Sequence, residues 1–184
     1  HWNNWVKQNL KIIERFTYYE LFNYVERNNK NLTNISTKLF PPEKRESLKT
    51  ETKLWMEFGK HDRQVHSIFE HTLIKDLTNL SIDHFLPWSF VTHNQLWNLH
   101  PMEQHHNSSK SNKLPSSQYL EQFSILQYRF LRFVSLKDEN LLGNYCSLLT
   151  LSKSEIKTAT KEHIINAFNH ELKSKLIIAQ NMGF

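Results

Sequence analysis

The sequence of 184 residues is poor in the residues that build several common kinds of site. It has one cysteine, Cys146. One thiol makes no internal disulfide and no zinc ribbon, so a reduced, cytoplasmic setting is the expectation. Its surroundings, Asn144-Tyr145-Cys146-Ser147-Leu148-Leu149, suit a small buried hydrophobe. Only 3 glycines are present, which argues against a glycine-rich phosphate loop and against a β fold with many tight turns. No apolar run approaches the roughly 20 residues that span a bilayer, and no signal-peptide pattern is visible. A membrane partner is therefore not expected. The chain opens on His1 rather than Met, as a processed product or a piece of something longer would.

Against these scarcities stand 12 Phe, 6 Tyr and 5 Trp, ample material for a core at this length. The formal net charge is +5. A basic balance favours polyanionic partners, nucleic acid first among them, although it is a weak signal alone.

Three segments follow from pattern. Residues 1–60 read as helical, with Trp2, Val6, Leu10, Ile13 and Phe16 at helical spacing. Thr17 followed by Glu20 has the capping-box pattern and predicts a new helix through about Arg27. Pro41-Pro42 predicts a break, then a helix from Glu43 to about Phe58. This segment holds 11 Lys/Arg and 7 Asp/Glu, either a solvated helical face or a surface that tracks a nucleic-acid backbone.

Residues 61–115 differ in kind: they hold 8 of the 11 histidines and three of the five prolines. Leu80 to Phe85 and Leu96 to Leu99 read as strands joined by a loop over Ser89 to Asn94. Residues 116–184 are helical again. Ser116 or Ser117 caps a helix bearing Tyr119, Leu120, Phe123, Leu126, Phe130 and Phe133. Ser152 and Glu155 repeat the capping-box pattern, and Ile164 to Ile177 mark one or two further helices.

The chemistry concentrates in Ser81-Ile82-Asp83-His84-Phe85-Leu86-Pro87-Trp88-Ser89-Phe90. A carboxylate and an imidazole stand side by side at the end of an apolar strand. Strand side chains alternate in direction, so a bend near Pro87 is needed to aim both at one site. Downstream come Leu96-Trp97-Asn98-Leu99 and then His105-His106-Asn107-Ser108-Ser109-Lys110-Ser111-Asn112-Lys113-Leu114-Pro115. The 23 residues from His84 to Asn107 leave room for a loop, a second strand and a first helical turn.

These residues over about 83–115 resemble the HNH, or ββα-metal, endonuclease family. The similarity is to a branch reading D-H-F-x-P-W-S-F, L-W-N-L and N-S-S-K-S in that order, and to the HNH domain of RNA-guided CRISPR nucleases. The resemblance implies an α+β fold with a small ββα-metal core between helical flanks. It implies a metal-dependent endonuclease that hydrolyses DNA phosphodiesters with Mg²⁺ or Mn²⁺, in bacterial defence or restriction. Asp83 would ligate the metal and His84 would act as general base. Asn98 would brace the hairpin, Asn107 would complete the protein's metal ligands, and Lys110 would approach the phosphate backbone. His106, or His105, is the alternative last ligand.

Such an assignment makes chemical sense. Imidazole accepts a proton from water near neutral pH, and a divalent ion stabilises the phosphate charge and the leaving oxygen. Hard oxygen ligands suit Mg²⁺ or Mn²⁺. Many relatives carry cysteine pairs around this unit. Here Ile68-Phe69-Glu70-His71-Thr72-Leu73 stands in that place, so no structural zinc is expected, and Phe69, Leu73, Leu77 and Phe85 must hold the unit by packing. The expected partner is DNA, with a larger complex or a homodimer as further possibilities. Two rival readings stay open: a DNA-binding or assembly module whose nuclease centre is idle, and an RNase or toxin nuclease.

Overall fold

The computed structural model describes residues 1–29, 35–40, 46–70, 72–74, 76–77, 80–103 and 113–184. Two compact units divide the chain, His1–Arg45 and Glu46–Phe184.

The first unit contains α1 (Trp2–Asn28) and the short α2 (Ile35–Leu39). α1 is continuous through the position where a second helix was predicted to begin. Thr17 does not cap: its Oγ1 donates to Ile13 O at 2.8 Å, one turn back inside the same helix. A threonine bonded to its own helix interrupts nothing, so the Thr17/Glu20 pattern is coincidental. The far half of α1 meets the second element through Tyr18, whose ring sits edge-on to Phe40 at 4.9 Å, and Ile35 is buried.

The second unit begins with α3 (Lys49–Asp62), later in onset than the predicted Glu43. It ends on Arg63 in the left-handed region, φ 58°, whose N–H bonds Gly59 O. Gly59 is needed for a different reason. A Cβ there would stand 2.6 Å from Leu77 Cδ2, so a larger residue would make the Leu77 side chain shift from its place against the helix.

A two-stranded antiparallel hairpin follows, β1 (Leu80–His84) against β2 (Leu99–Glu103), in the register Ile82↔Pro101, Asp83↔His100 and His84↔Leu99. Pro101 is tolerated because each strand of a two-stranded sheet has an outer edge that makes no ladder bonds. Leu96 to Asn98, expected as strand, forms a 3₁₀ turn instead, and the connection carries a one-turn helix, α4 (Trp88–Val91), opened by Pro87. The architecture is α+β: a hairpin with flanking helices. The helix that would close a ββα unit was expected just after Asn107, and residues 104–112 lie outside the described residues.

The C-terminal part is α5 (Leu120–Lys137), α6 (Gly143–Leu149), α7 (Lys153–Thr158) and α8 (Lys161–Asn181). Ser152 and Glu155 form the expected capping box, each side chain bonded to the other's backbone N–H. The last segment is one helix rather than two. Arg132 reaches from α5 to the C-terminal carbonyls of α7, at Ile156 (2.9 Å), Lys157 (3.2 Å) and Ala159. A guanidinium suits that negative end of a helix.

A continuous core runs under the hairpin and through α3, α5, α6 and α8. The rings of Phe85 and Phe123 stack at 4.0 Å, which seats the end of β1 on α5. Phe69 and Leu77 pack against this core as expected, but Leu73 is exposed and contributes little.

Buried polar groups bolt the layers together. Gln127 Nε2 donates to Leu99 O on β2 at 2.6 Å, and its Oε1 accepts from Tyr145 on α6 at 3.3 Å. Burial pushes the Tyr145 phenol well above its ordinary value of 10. The folded state therefore holds this proton more tightly than the unfolded chain. Stability from this group is intact below about pH 10 and falls as pH rises through that value, where only the unfolded chain ionises. In an absorbance titration near 295 nm, Tyr145 should ionise only together with alkaline unfolding. Tyr145→Phe should remove that delayed component.

Candidate functional site

The hairpin carries the chemistry-bearing residues. In β1, burial alternates from Leu80 to His84, with Leu80, Ile82 and His84 inward and Ser81 and Asp83 half-exposed. Alternation is what a regular strand imposes, so Asp83 and His84 leave the backbone on opposite sides. The bend expected near Pro87 comes only after the strand has ended, and it re-aims neither residue.

His84 is buried, and its Nε2 lies 3.0 Å from Asn94 Oδ1. Asn94 was not singled out from sequence, and no motif signal marks it; a loop asparagine ten residues away becomes a neighbour only through the turn. That turn is braced from within. Gln95 N donates to His93 Nδ1 at 3.2 Å, and Trp97 Nε1 donates to Gln95 Oε1 at 2.6 Å. Leu96 N donates to Asn144 Oδ1 at 3.2 Å, which ties the turn to α6.

Asn98 is fully buried and works as a bracket. Its Nδ2 donates to Leu86 O and its Oδ1 accepts from Leu86 N, both at 2.9 Å. Its own backbone O accepts from Phe85 N at 2.7 Å. The side-chain amide thus replaces one rung of the ladder where β1 has ended and Pro87 is about to turn the chain. His84 is the last strand residue before that bracket.

Asp83 pairs across the hairpin with His100. His100 is completely buried, with its ring edge-on to Phe69 at 5.3 Å and to Phe123 at 6.0 Å. Its Nδ1 lies 3.3 Å from Pro101 O. His100 belongs to the core rather than to an open cleft. Asn107, Lys110, His105 and His106 lie outside the described residues, as does His71.

Among the described residues, no group of three or more His, Cys, Asp and Glu side chains could hold a metal ion. This corrects the expectation of an active metal-dependent endonuclease with Mg²⁺ or Mn²⁺ at Asp83. The physical reason lies in the neighbours. The adjacent imidazole, His84, gives Nε2 to Asn94, and the cross-strand imidazole, His100, is packed between rings. A hard divalent cation needs several oxygen or nitrogen ligands converging on one point, and no group of three or more His, Cys, Asp and Glu side chains does so among the described residues.

Comparison with known proteins agrees with the family-level resemblance. Residues 66–116 match the family model described as HNH endonuclease. The matched stretch contains the hairpin, the α4 turn and the Asn98 bracket, so an HNH endonuclease family domain covers this part of the chain. The match is to the family and singles out no branch of it, RNA-guided nucleases included. No curated protein and no solved structure matches the chain. Among the described residues, no helix is long and apolar enough to cross a membrane.

Proposed function

We propose that this chain is a DNA-binding module built on an HNH-type hairpin whose nuclease centre is idle. The supporting observation is a combination: the family match over 66–116, without a three-ligand group of His, Cys, Asp and Glu among the described residues. The net charge of +5 supports a polyanionic partner. In this reading residues 61–115 are the binding core, with helical segments 1–60 and 116–184 on either side. His84 and Asn98 serve the shape of the hairpin, and Asp83 and Asn107 keep the family's residue types without the family's reaction. Lys110 supplies positive charge to the phosphate backbone.

Such binding is chiefly electrostatic and follows counterion release. Fluorescence anisotropy with a labelled duplex should give a Kd on the order of micromolar near physiological salt, weakening steeply between about 50 and 200 mM. Lys110→Ala should reduce the salt slope by about one phosphate contact. In parallel, supercoiled plasmid incubated with Mg²⁺, with Mn²⁺ or with EDTA should stay equally intact. Metal-dependent nicking that His84→Ala abolishes would refute an idle centre. Preferential cutting of RNA would favour the toxin-nuclease reading. Lack of any DNA binding would leave an assembly role.

A further inference from the structure

Gln122, Ile125, Leu126 and Arg129 follow one another on α5 at spacings of three, one and three, so they share one face of that helix. Facing them is the stretch 66–68, held in place by the antiparallel bridge His66↔Leu73 and by Ser67 N, which donates to Thr72 O at 2.9 Å. Between the two lies a cavity of about 230 Å³, wholly inside the Glu46–Phe184 unit. None of Asp83, His84 and Asn98 lines it. Its polar groups are uncommitted. Ser67 is only 3 % exposed, yet its hydroxyl has no hydrogen-bond partner among the described residues. Arg129 holds Asp62 through Nε (3.0 Å) and Nη2, and Nη2 also donates to Gln64 O at 3.0 Å, which leaves both Nη1 protons to offer. His66 Nδ1 lies 3.0 Å from Gln64 O. A carbonyl only accepts, so Nδ1 carries the proton of the neutral ring and Nε2 is a bare acceptor. The Gln122 amide, exposed at the rim, brings one acceptor and two donor protons. Ile68, Ile125 and Leu126 complete the wall.

We infer that this cavity takes one unpaired nucleobase, an inference that rests on the DNA-binding reading for the source of the base. A buried hydroxyl without a partner is costly, and a ligand that bonds it removes the cost. Water alone suits the space poorly. The volume holds about seven molecules, each needing two to four polar partners, and much of the wall is aliphatic. An anion is disfavoured too, because Asp62 already offsets the guanidinium and the bare His66 nitrogen would repel it. A nucleobase matches on every count. It is neutral, its edge carries both donors and acceptors for Arg129, Gln122 and His66, and its flat faces suit Ile68, Ile125 and Leu126. The size agrees, since the cavity falls below the roughly 300–1,000 Å³ of sites for larger, drug-sized ligands. A base stacked in a duplex cannot enter. Extrusion is least costly where the base is already unpaired, so the pocket selects DNA that carries such a base.

The test titrates the full 184-residue chain with each of the four deoxynucleosides, following the side-chain ¹⁵N–¹H resonances of Gln122 and Arg129. At least one nucleoside should shift both, with a Kd on the order of millimolar for a ligand of so few atoms. Inorganic phosphate at the same concentration should shift neither. Gln122→Ala, at the exposed rim, should weaken that nucleoside about fivefold. Ile125→Trp, which fills the cavity and spares its polar groups, should abolish the shifts. In fluorescence anisotropy, a duplex with one unpaired base should bind about tenfold tighter than the same duplex fully paired, and Ile125→Trp should erase that preference. Should circular dichroism show Ile125→Trp unfolded, Gln122→Ala and the phosphate arm still decide. Silence toward all four nucleosides overturns the inference, as do shifts with phosphate or a nucleoside that Ile125→Trp binds as well as the wild type. A chain that binds DNA but ignores the unpaired base overturns it equally. Nucleoside binding without any DNA binding sinks the DNA-binding reading and leaves the pocket standing.

Discussion

Asn98→Ala is expected to destabilise the Glu46–Phe184 unit by about 3 kcal/mol, in urea denaturation followed by far-UV circular dichroism. The wild-type amide satisfies both polar groups of one residue, Leu86 N and Leu86 O, in a place sealed from water. Alanine strands both at once. Each abandoned buried group costs about 1–3 kcal/mol, far more than the net worth of an average hydrogen bond. Asn98→Leu separates the contributions, since it keeps the volume but not the bonds. If unsatisfied backbone dominates, the leucine variant is no more stable than the alanine variant.

Asn98→Asp gives a sharper test. The carboxylate still accepts from Leu86 N but turns a second oxygen on Leu86 O. Burial and that repulsion raise its pKa above the ordinary carboxylate range. The variant is then most stable in acid and loses stability as pH rises from about 4 toward 7, opposite to a salt-bridged aspartate. The consequence should reach His84, the last residue of β1 before the bracket. In all three variants the His84 ring resonances should broaden or shift, reporting loss of the contact with Asn94.

How much of this was legible in sequence depends on the range of the interaction. β1 was readable because its apolar alternation is local, and the Ser152/Glu155 box because a cap is made by residues three apart. The same local rule misread Thr17 and Glu20. A threonine bonds its own helix as readily as it caps a new one, and four residues of sequence do not say which. Leu96 to Asn98 looked like a strand because apolar residues dominate it. The decisive fact is that the Asn98 side chain replaces a ladder rung to Leu86, twelve residues back.

The site fared likewise. Motif order and spacing pointed to an HNH-type unit, and the family match over 66–116 agrees. Yet a motif gives residue types in sequence, whereas a metal centre needs ligands converging in space. The convergence was inferred from the resemblance. Among the described residues Asp83 finds a buried His100 across the hairpin, and His84 finds Asn94. Gln127 and Tyr145, which hold β2 onto the helices behind it, carried no signal, because a glutamine inside an amphipathic helix looks like any solvent-facing residue.

The largest loss should come from Phe130→Ala. Phe130 is completely buried on α5, stacked on Trp55 of α3 at 3.6 Å and 11°, and edge-on to Phe58 at 5.3 Å. Truncation removes most of a ring from a core that collapses only partly, at about 3–5 kcal/mol. The aromatic pairing lost with it adds about 0.5–1.5 kcal/mol beyond area. Urea denaturation should show that shift with an unchanged slope, and near-UV circular dichroism should lose the Trp55 signal in the native baseline. Changing the other ring should cost much less. Trp55 Nε1 is buried with no hydrogen-bond partner among the described residues, a standing cost of about 1–3 kcal/mol. Trp55→Phe gives up packing volume but also removes that orphan N–H, so the two effects oppose, and the net change should stay within about 1 kcal/mol. If Trp55→Phe proves as damaging as Phe130→Ala, ring volume alone governs this contact and the orphan N–H has little energetic weight.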